Sequence, residues 1–125
     1  MRILHVTPYF PPSWAYGGIP RMVEGHGTAL LHEGCEIHVL TTDAFDAYSR
    51  SKMPQKRHFK GMTVYTLPNL SNRLAYKQLY LPWHADKYLS KIHQETPIDI
   101  LHLHGHRHLL NTMVVRWATK HGVPY

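Results

Sequence analysis

Apolar and polar positions along this chain change period several times, and each change marks an element. Arg2-Ile3-Leu4-His5-Val6-Thr7 is a short apolar, partly β-branched run that reads as a strand, ended by Pro8. A Pro-rich elbow follows, and Gly17-Gly18-Ile19-Pro20-Arg21 leads into a segment of helical period. Its apolar face carries Ile19, Met22, Val23, His26, Gly27 and Leu30. Pro20 suits the first turn, where a missing N–H does no harm, and Gly34 supplies the stop. Glu36-Ile37-His38-Val39-Leu40-Thr41-Thr42 is a second strand. Strand, helix and strand in succession form a βαβ unit, which predicts a parallel sheet in an α/β fold.

Residues 44–61 are polar and basic, with Arg50, Lys52, Lys56, Arg57 and Lys60 and no acid after Asp46. A solvated excursion is the expectation for this segment. Met62-Thr63-Val64-Tyr65-Thr66-Leu67 makes a third strand, closed by Pro68-Asn69. Residues 70–82 interleave Leu70, Leu74, Tyr76, Leu79, Tyr80 and Leu81 with Arg73 and Lys77. Such a mixture suits a membrane surface, but packing against the sheet is the favoured reading. A helix after Pro82 buries Ala85, Tyr88, Leu89 and Ile92, and Pro97 blocks its continuation. Asp99-Ile100-Leu101-His102-Leu103 is a fourth strand, and Leu110, Met113, Val114, Trp117 and Ala118 form the apolar face of a last helix before Gly122. Val123-Pro124-Tyr125 reads as the first step of a fifth strand, so the expectation is a partial domain truncated within or before that strand.

The 125 residues suffice for one domain with a core. A net charge of +6 favours anionic partners such as nucleotides, phospholipid surfaces or nucleic acid, and twelve histidines strengthen that bias on mild acidification. The single cysteine, Cys35, excludes an internal disulfide and fits a reducing compartment. It reads as a small buried or half-buried thiol. The apolar start is too short for a secretory leader, and no run approaches the roughly 18 apolar residues of a spanning helix. A cytoplasmic protein that touches a membrane only from outside is the simplest expectation.

In a doubly wound sheet, ligands bind at the carboxyl ends of the strands where the strand order reverses. The first and fourth strands flank that point, so Gly17-Gly18 and the run His102-Leu103-His104-Gly105-His106-Arg107-His108 are expected to share a crevice. Glycine lets a ligand approach the backbone, and a helix start offers unpaired N–H groups to a phosphate. Three readings compete for the histidines. Alternating histidines bind zinc, but Arg107 stands where metal hydrolases place an aspartate, so no metal is expected. His102 reads as a packed core residue and His108 as a helix-start residue. His104 reads as a sugar- or phosphate-facing group at the strand tip, with Gly105 beside it and His106 as a second candidate. A dinucleotide fingerprint is excluded, because Pro8-Tyr9-Phe10-Pro11-Pro12-Ser13-Trp14-Ala15-Tyr16 intervenes before any glycine, and there is no Walker loop.

Five blocks carry a family resemblance: Ile3 to Pro12, Gly17 to Arg21, Gly34 to Thr42, Asp99 to Gly105 and Gly122 to Tyr125. They resemble the N-terminal, acceptor-side domain of GT-B retaining glycosyltransferases of family 4 (glycosyl transferase group 1). The resemblance runs in order from residue 1 to 125, with residues 44–97 weakly matched. It implies a Rossmann-like doubly wound parallel sheet and a hexosyltransferase that moves a sugar with retention from a nucleotide-sugar donor to a glycan, lipid-linked or small-molecule acceptor. Such enzymes build cell-envelope polysaccharides, and the resemblance implies no required metal, no separate cofactor and no nucleic acid. It maps the donor diphosphate onto Gly17 and Gly18 and the donor sugar or acceptor onto His104. Arg21 matches a frequent arginine at the helix start. The second, nucleotide-binding domain of the family lies outside residues 1–125, so this stretch alone is expected to be inactive. A non-catalytic nucleotide- or phosphate-binding module of flavodoxin-like shape is the alternative.

Overall fold

The computed structural model describes residues 1–77, 79–105 and 108–125. Strand β1 (Arg2–Val6) leads through a 3₁₀ turn (Trp14–Tyr16) to helix α1 (Ile19–His32) and strand β2 (Glu36–Thr42). Then come β3 (Lys56–Phe59), β4 (Met62–Leu67), the short α2 (Asn72–Tyr76), α3 (Ala85–Glu95), β5 (Ile100–Leu103) and α4 (Leu109–His121). The five strands lie in the order β3-β4-β2-β1-β5. Strands β4, β2, β1 and β5 run parallel, while β3 runs antiparallel to β4. The sheet is therefore mixed, and the expected purely parallel sheet is corrected at this edge.

Strand β3 falls inside the stretch expected to be a solvated excursion. The chain reverses through Lys60 and Gly61, both with positive φ (48° and 85°). Two consecutive left-handed residues form the tight hairpin whose twist matches its flanking strands. The Arg57 guanidinium anchors the new edge by donating to the Pro11 carbonyl and lying over the Phe10 ring at 5.9 Å.

Alternation along the strands sends side chains to two cores. Ile3, Ile37, Val39, Met62 and Val64 meet Val23 of α1 on one face. Leu4, Val6, Leu40, Tyr65, Leu67 and Leu101 meet Leu89 and Ile92 of α3 and Leu110, Val114 and Trp117 of α4 on the other. Helix α1 comes down directly onto the sheet at Gly27, where an added Cβ would stand 2.5 Å from the Met62 sulfur. Its end is a Schellman turn at Gly34 (φ 81°), with Gly34 N–H donating to Leu31 and Cys35 N–H to Leu30 at 3.0 Å each. Met22 and His26, placed on the buried face by periodicity, are exposed.

The stretch 70–82 also departs from expectation. Tyr80 is fully buried and Ala75 closes on it, but Leu70, Leu74, Tyr76 and Leu79 are exposed beside Arg73 and Lys77. Gln78 lies outside the described residues. Near the end of the chain, the Pro124 carbonyl accepts from Leu101 N–H at 2.9 Å, but Val123, Pro124 and Tyr125 form no strand, which corrects the expected start of one there. Cys35 is half-buried. Among the described residues no helix is long and apolar enough to cross a membrane.

Candidate functional site

Strand order reverses at β1: the chain moves from β1 to β2 and β4 on one side, then returns to place β5 on the other. The carboxyl ends of β1 and β5 therefore flank the switch point. Two groups of candidate residues stand near it, and they form two separate constellations.

The first is the glycine pair. Gly17 adopts φ 89° and ψ −147°, a region that essentially only glycine enters, and Gly18 is the residue from which α1 starts. A Cβ at either position would meet nothing within 4 Å, so the backbone faces open space. Gly17, Gly18, Arg21 and Trp14 line one open depression, with the Arg21 guanidinium 5.6 Å over the Trp14 ring. Trp14 was not anticipated; its place before the glycine pair was the available signal. The depression has a helix start, a cation and an aromatic face, which is the chemistry of an anion attached to a planar group, although the Gly17 N–H is engaged by the Trp14 carbonyl at 3.3 Å and Pro20 has none.

The second constellation is built of histidines, and its centre is a residue that sequence reasoning took only as part of a strand. Parallel register sets His5 of β1 beside His102 of β5. His104 follows two residues later on the same face, its N–H donating to the Val6 carbonyl at 2.8 Å. Nδ1 of His5 and Nε2 of His104 are 2.7 Å apart, one ring donating and the other accepting. The His102 ring lies 4.2 Å from that of His104 and 4.9 Å from that of His5. His26, reaching over from α1, stands 5.9 Å from His102 and 6.1 Å from His104.

Electrostatics follow from this crowding. Burial, then His102 and His26, lowers His5 to a pKa of about 4. Burial, then His102, His5 and His26, lowers His104 to about 3. His102 is lowered by burial and by His26. Burial and the neighbouring imidazoles thus favour the neutral forms of His5 and His104, which share a hydrogen bond. Nε2 of His5 is buried with no hydrogen-bond partner among the described residues.

Two expectations are corrected here, those for His102 and for the space beside Gly105. His102 is exposed, not packed in the core. His104 is only 3% exposed, its Nε2 engaged by His5. The space beside Gly105 (φ 85°) belongs to His108, whose Nε2 would lie 2.6 Å from an added Cβ, so the ring and not a ligand sits against that backbone. His108 itself is the residue before α4, as expected of a helix-start position. His106 and Arg107 lie outside the described residues.

A tyrosine cluster joins the two sides of the switch point. Tyr16, adjacent to Gly17, stacks on Tyr9 at 4.6 Å and reaches Tyr80 at 6.2 Å. Tyr80 in turn meets His108 at 5.0 Å. The loop after β1 and the segment after β5 thus border one another through Tyr80, although His104 does not line the Gly17 depression. No protein-family model matches the chain, and no curated protein matches it.

Proposed function

We propose that this chain forms the acceptor-side wall of a retaining sugar transferase of the GT-B kind, with the nucleotide pocket supplied by a second α/β domain. Counted among the parallel strands alone, the spatial order is third, second, first, fourth, with helices on both faces, which supports a Rossmann-like doubly wound sheet. The observation that carries the proposal is the open Gly17–Gly18 backbone at the start of a 14-residue helix beside that switch point.

In this reading the Gly17 and Gly18 region and Arg21 support the negative charge that grows on the leaving diphosphate. His104 positions the sugar as a neutral imidazole through whatever hydrogen-bonding capacity His5 leaves it. Its lowered pKa removes it from any role as general acid near pH 7. One wall of such a cleft excludes little water and gives weak binding by itself. The exposed apolar and basic residues of 70–83 suit a lipid-linked acceptor at an anionic membrane surface, which implies a cytoplasmic enzyme of envelope polysaccharide synthesis.

The test is a titration of the 125-residue chain with uridine and guanosine diphosphates, followed by calorimetry and by amide chemical shifts. The expected result is millimolar binding with shifts at Gly17, Gly18 and Arg21, reduced in Arg21→Ala. Micromolar binding by this chain alone would show that the nucleotide pocket lies here, and the non-catalytic nucleotide-binding module would then be the better reading. Absence of shifts at the glycine pair would remove the diphosphate assignment altogether.

A further inference from the structure

We propose that His5, His102 and His104 form a binding site for a divalent transition-metal ion, zinc foremost, with the fourth position open to water. Each histidine offers one ring nitrogen, and the three nitrogens lie within 4.8 Å of one another. Three imidazoles plus one solvent position is a recurrent zinc arrangement, with Zn–N distances of about 2.0–2.1 Å. An all-nitrogen donor set selects zinc, cobalt, nickel or copper over magnesium or calcium, which require oxygen ligands.

The geometry lies a short movement away from this arrangement. Two nitrogens bound to one tetrahedral zinc stand about 3.3 Å apart, given the usual Zn–N length. The hydrogen-bonded nitrogens of His5 and His104 are 2.7 Å apart now. They must separate by roughly 0.6 Å, and the widest gap among the three nitrogens, up to 4.8 Å, must close by as much as about 1.5 Å. The hydrogen that His5 and His104 share moves to the far nitrogen of the ring that carries it, so both lone pairs turn to the ion and no net deprotonation is needed.

The position in the fold bears on access. His5 is fully buried in the middle of β1, between Leu4 and Val6, with its Nδ1 turned to His104. His102 is exposed and gives the ion its path from solvent, with the exposed His26 ring beside that opening.

The site goes beyond the sugar-transfer reading, and its probe is the metal ion alone. The chain is stripped with a chelator and titrated with Zn²⁺ against a chromophoric competitor, then with Co²⁺ while visible absorption is followed. One equivalent of zinc should bind with submicromolar affinity, and cobalt should give the intense bands of tetrahedral coordination. His102→Ala, whose side chain is exposed and whose loss leaves the core intact, should weaken zinc at least about 100-fold, beyond the 10–100-fold expected for a second-shell partner. His32→Ala and His58→Ala remove exposed histidines elsewhere and should change neither readout. Zinc binding weaker than micromolar, weak octahedral cobalt bands, or equal losses in His102→Ala and His58→Ala would each overturn the proposal.

Discussion

Helix α1 carries both the glycine pair at its start and His26 at its middle, so the distance at which it rides on the sheet sets both constellations. That distance is set at Gly27. Replacing Gly27 with alanine places a Cβ 2.5 Å from the Met62 sulfur and 3.5 Å from Ile37 Cγ2. Ordinary contact lies near 3.5–4.0 Å, so the sulfur must retreat by about 1 Å. Met62 and Ile37 are 0% and 1% exposed, and the sulfur is mid-chain, so it cannot swing away alone. Two effects compete. Alanine gains about 0.8–1.0 kcal/mol over glycine inside a helix, while overpacking a filled core costs about 1–3 kcal/mol. Steric overlap wins: Gly27→Ala should destabilise the fold by about 1 kcal/mol, near 4 °C in Tm for a domain of this size.

Two companions make the reasoning decisive. Gly25 lies in the same helix, and a Cβ there meets nothing within 4 Å. Gly25→Ala should therefore stabilise by roughly 0.5–1 kcal/mol from propensity alone. Met62→Ala removes the sulfur, at about 2–5 kcal/mol, and in that background Gly27→Ala should become stabilising. The coupling in the double-mutant cycle is then about 2 kcal/mol, well above the roughly 0.5 kcal/mol expected of independent sites. Urea unfolding with a common m-value measures all four chains. If Gly27→Ala stabilises as much as Gly25→Ala, or the coupling is near zero, close packing at Gly27 does not hold α1 in place.

In the metal-free chain, His5 and His104 bind protons more weakly when folded than when unfolded, so stability is full above the ordinary value of 6.5 and falls as pH drops toward their folded values of about 4 and 3. His102 and His26 face them; each of the pair contributes a loss of about 2 kcal/mol between pH 7.5 and 5, about 4 kcal/mol together, with chelator present. Urea midpoints should fall less in His104→Gln than in the parent; equal falls would refute the assignment. Gly105→Ala should cost about 1–3 kcal/mol, because φ is 85° and the new methyl meets the His108 ring; an unchanged melting temperature would show that this turn relaxes freely. The chain should sediment with anionic vesicles at low salt and leave them at high salt, and Leu74→Asp should weaken the association; equal binding to neutral vesicles would exclude the basic component from Arg73 and Lys77.

Local pattern made most of the architecture legible. β1, β2, β4, α3, β5 and α4 each have an apolar period that matches the core they enter, and α1 matches it at Val23 and Gly27 but not at Met22 and His26, with boundaries marked by Gly34, Pro97 and Gly122. β3 was illegible because Lys56-Arg57-His58-Phe59 has no apolar alternation. It is an edge strand held by backbone pairing and by Arg57, and its only strong cue was the Lys60-Gly61 turn. α2 spans five residues, too short for a helical period, and Ser71, which accepts from Leu74 N–H at 3.3 Å, is its one local signature.

The histidine cluster was illegible for a different reason: its members lie far apart in sequence, and only strand pairing brings them together. That pairing is nonetheless fixed by apolar residues. Leu4, Val6 and Leu101 must enter the core under α3 and α4, and Ile3 and Ile100 the core under α1. Side chains alternate along a strand, so a slip of one residue would exchange the two sets and drive His5 into the larger core. The register Ile3↔Ile100 and Leu4↔Leu101 avoids this, and the next pair in line is His5↔His102. The same apolar packing that selects the fold therefore forces two imidazoles side by side, and the alternation that follows puts His104 within reach of both. Three imidazoles that packing has already brought within 4.8 Å of one another need less further ordering to hold an ion than separate side chains would, which makes the proposed cluster more preorganised than the isolated glycine pair.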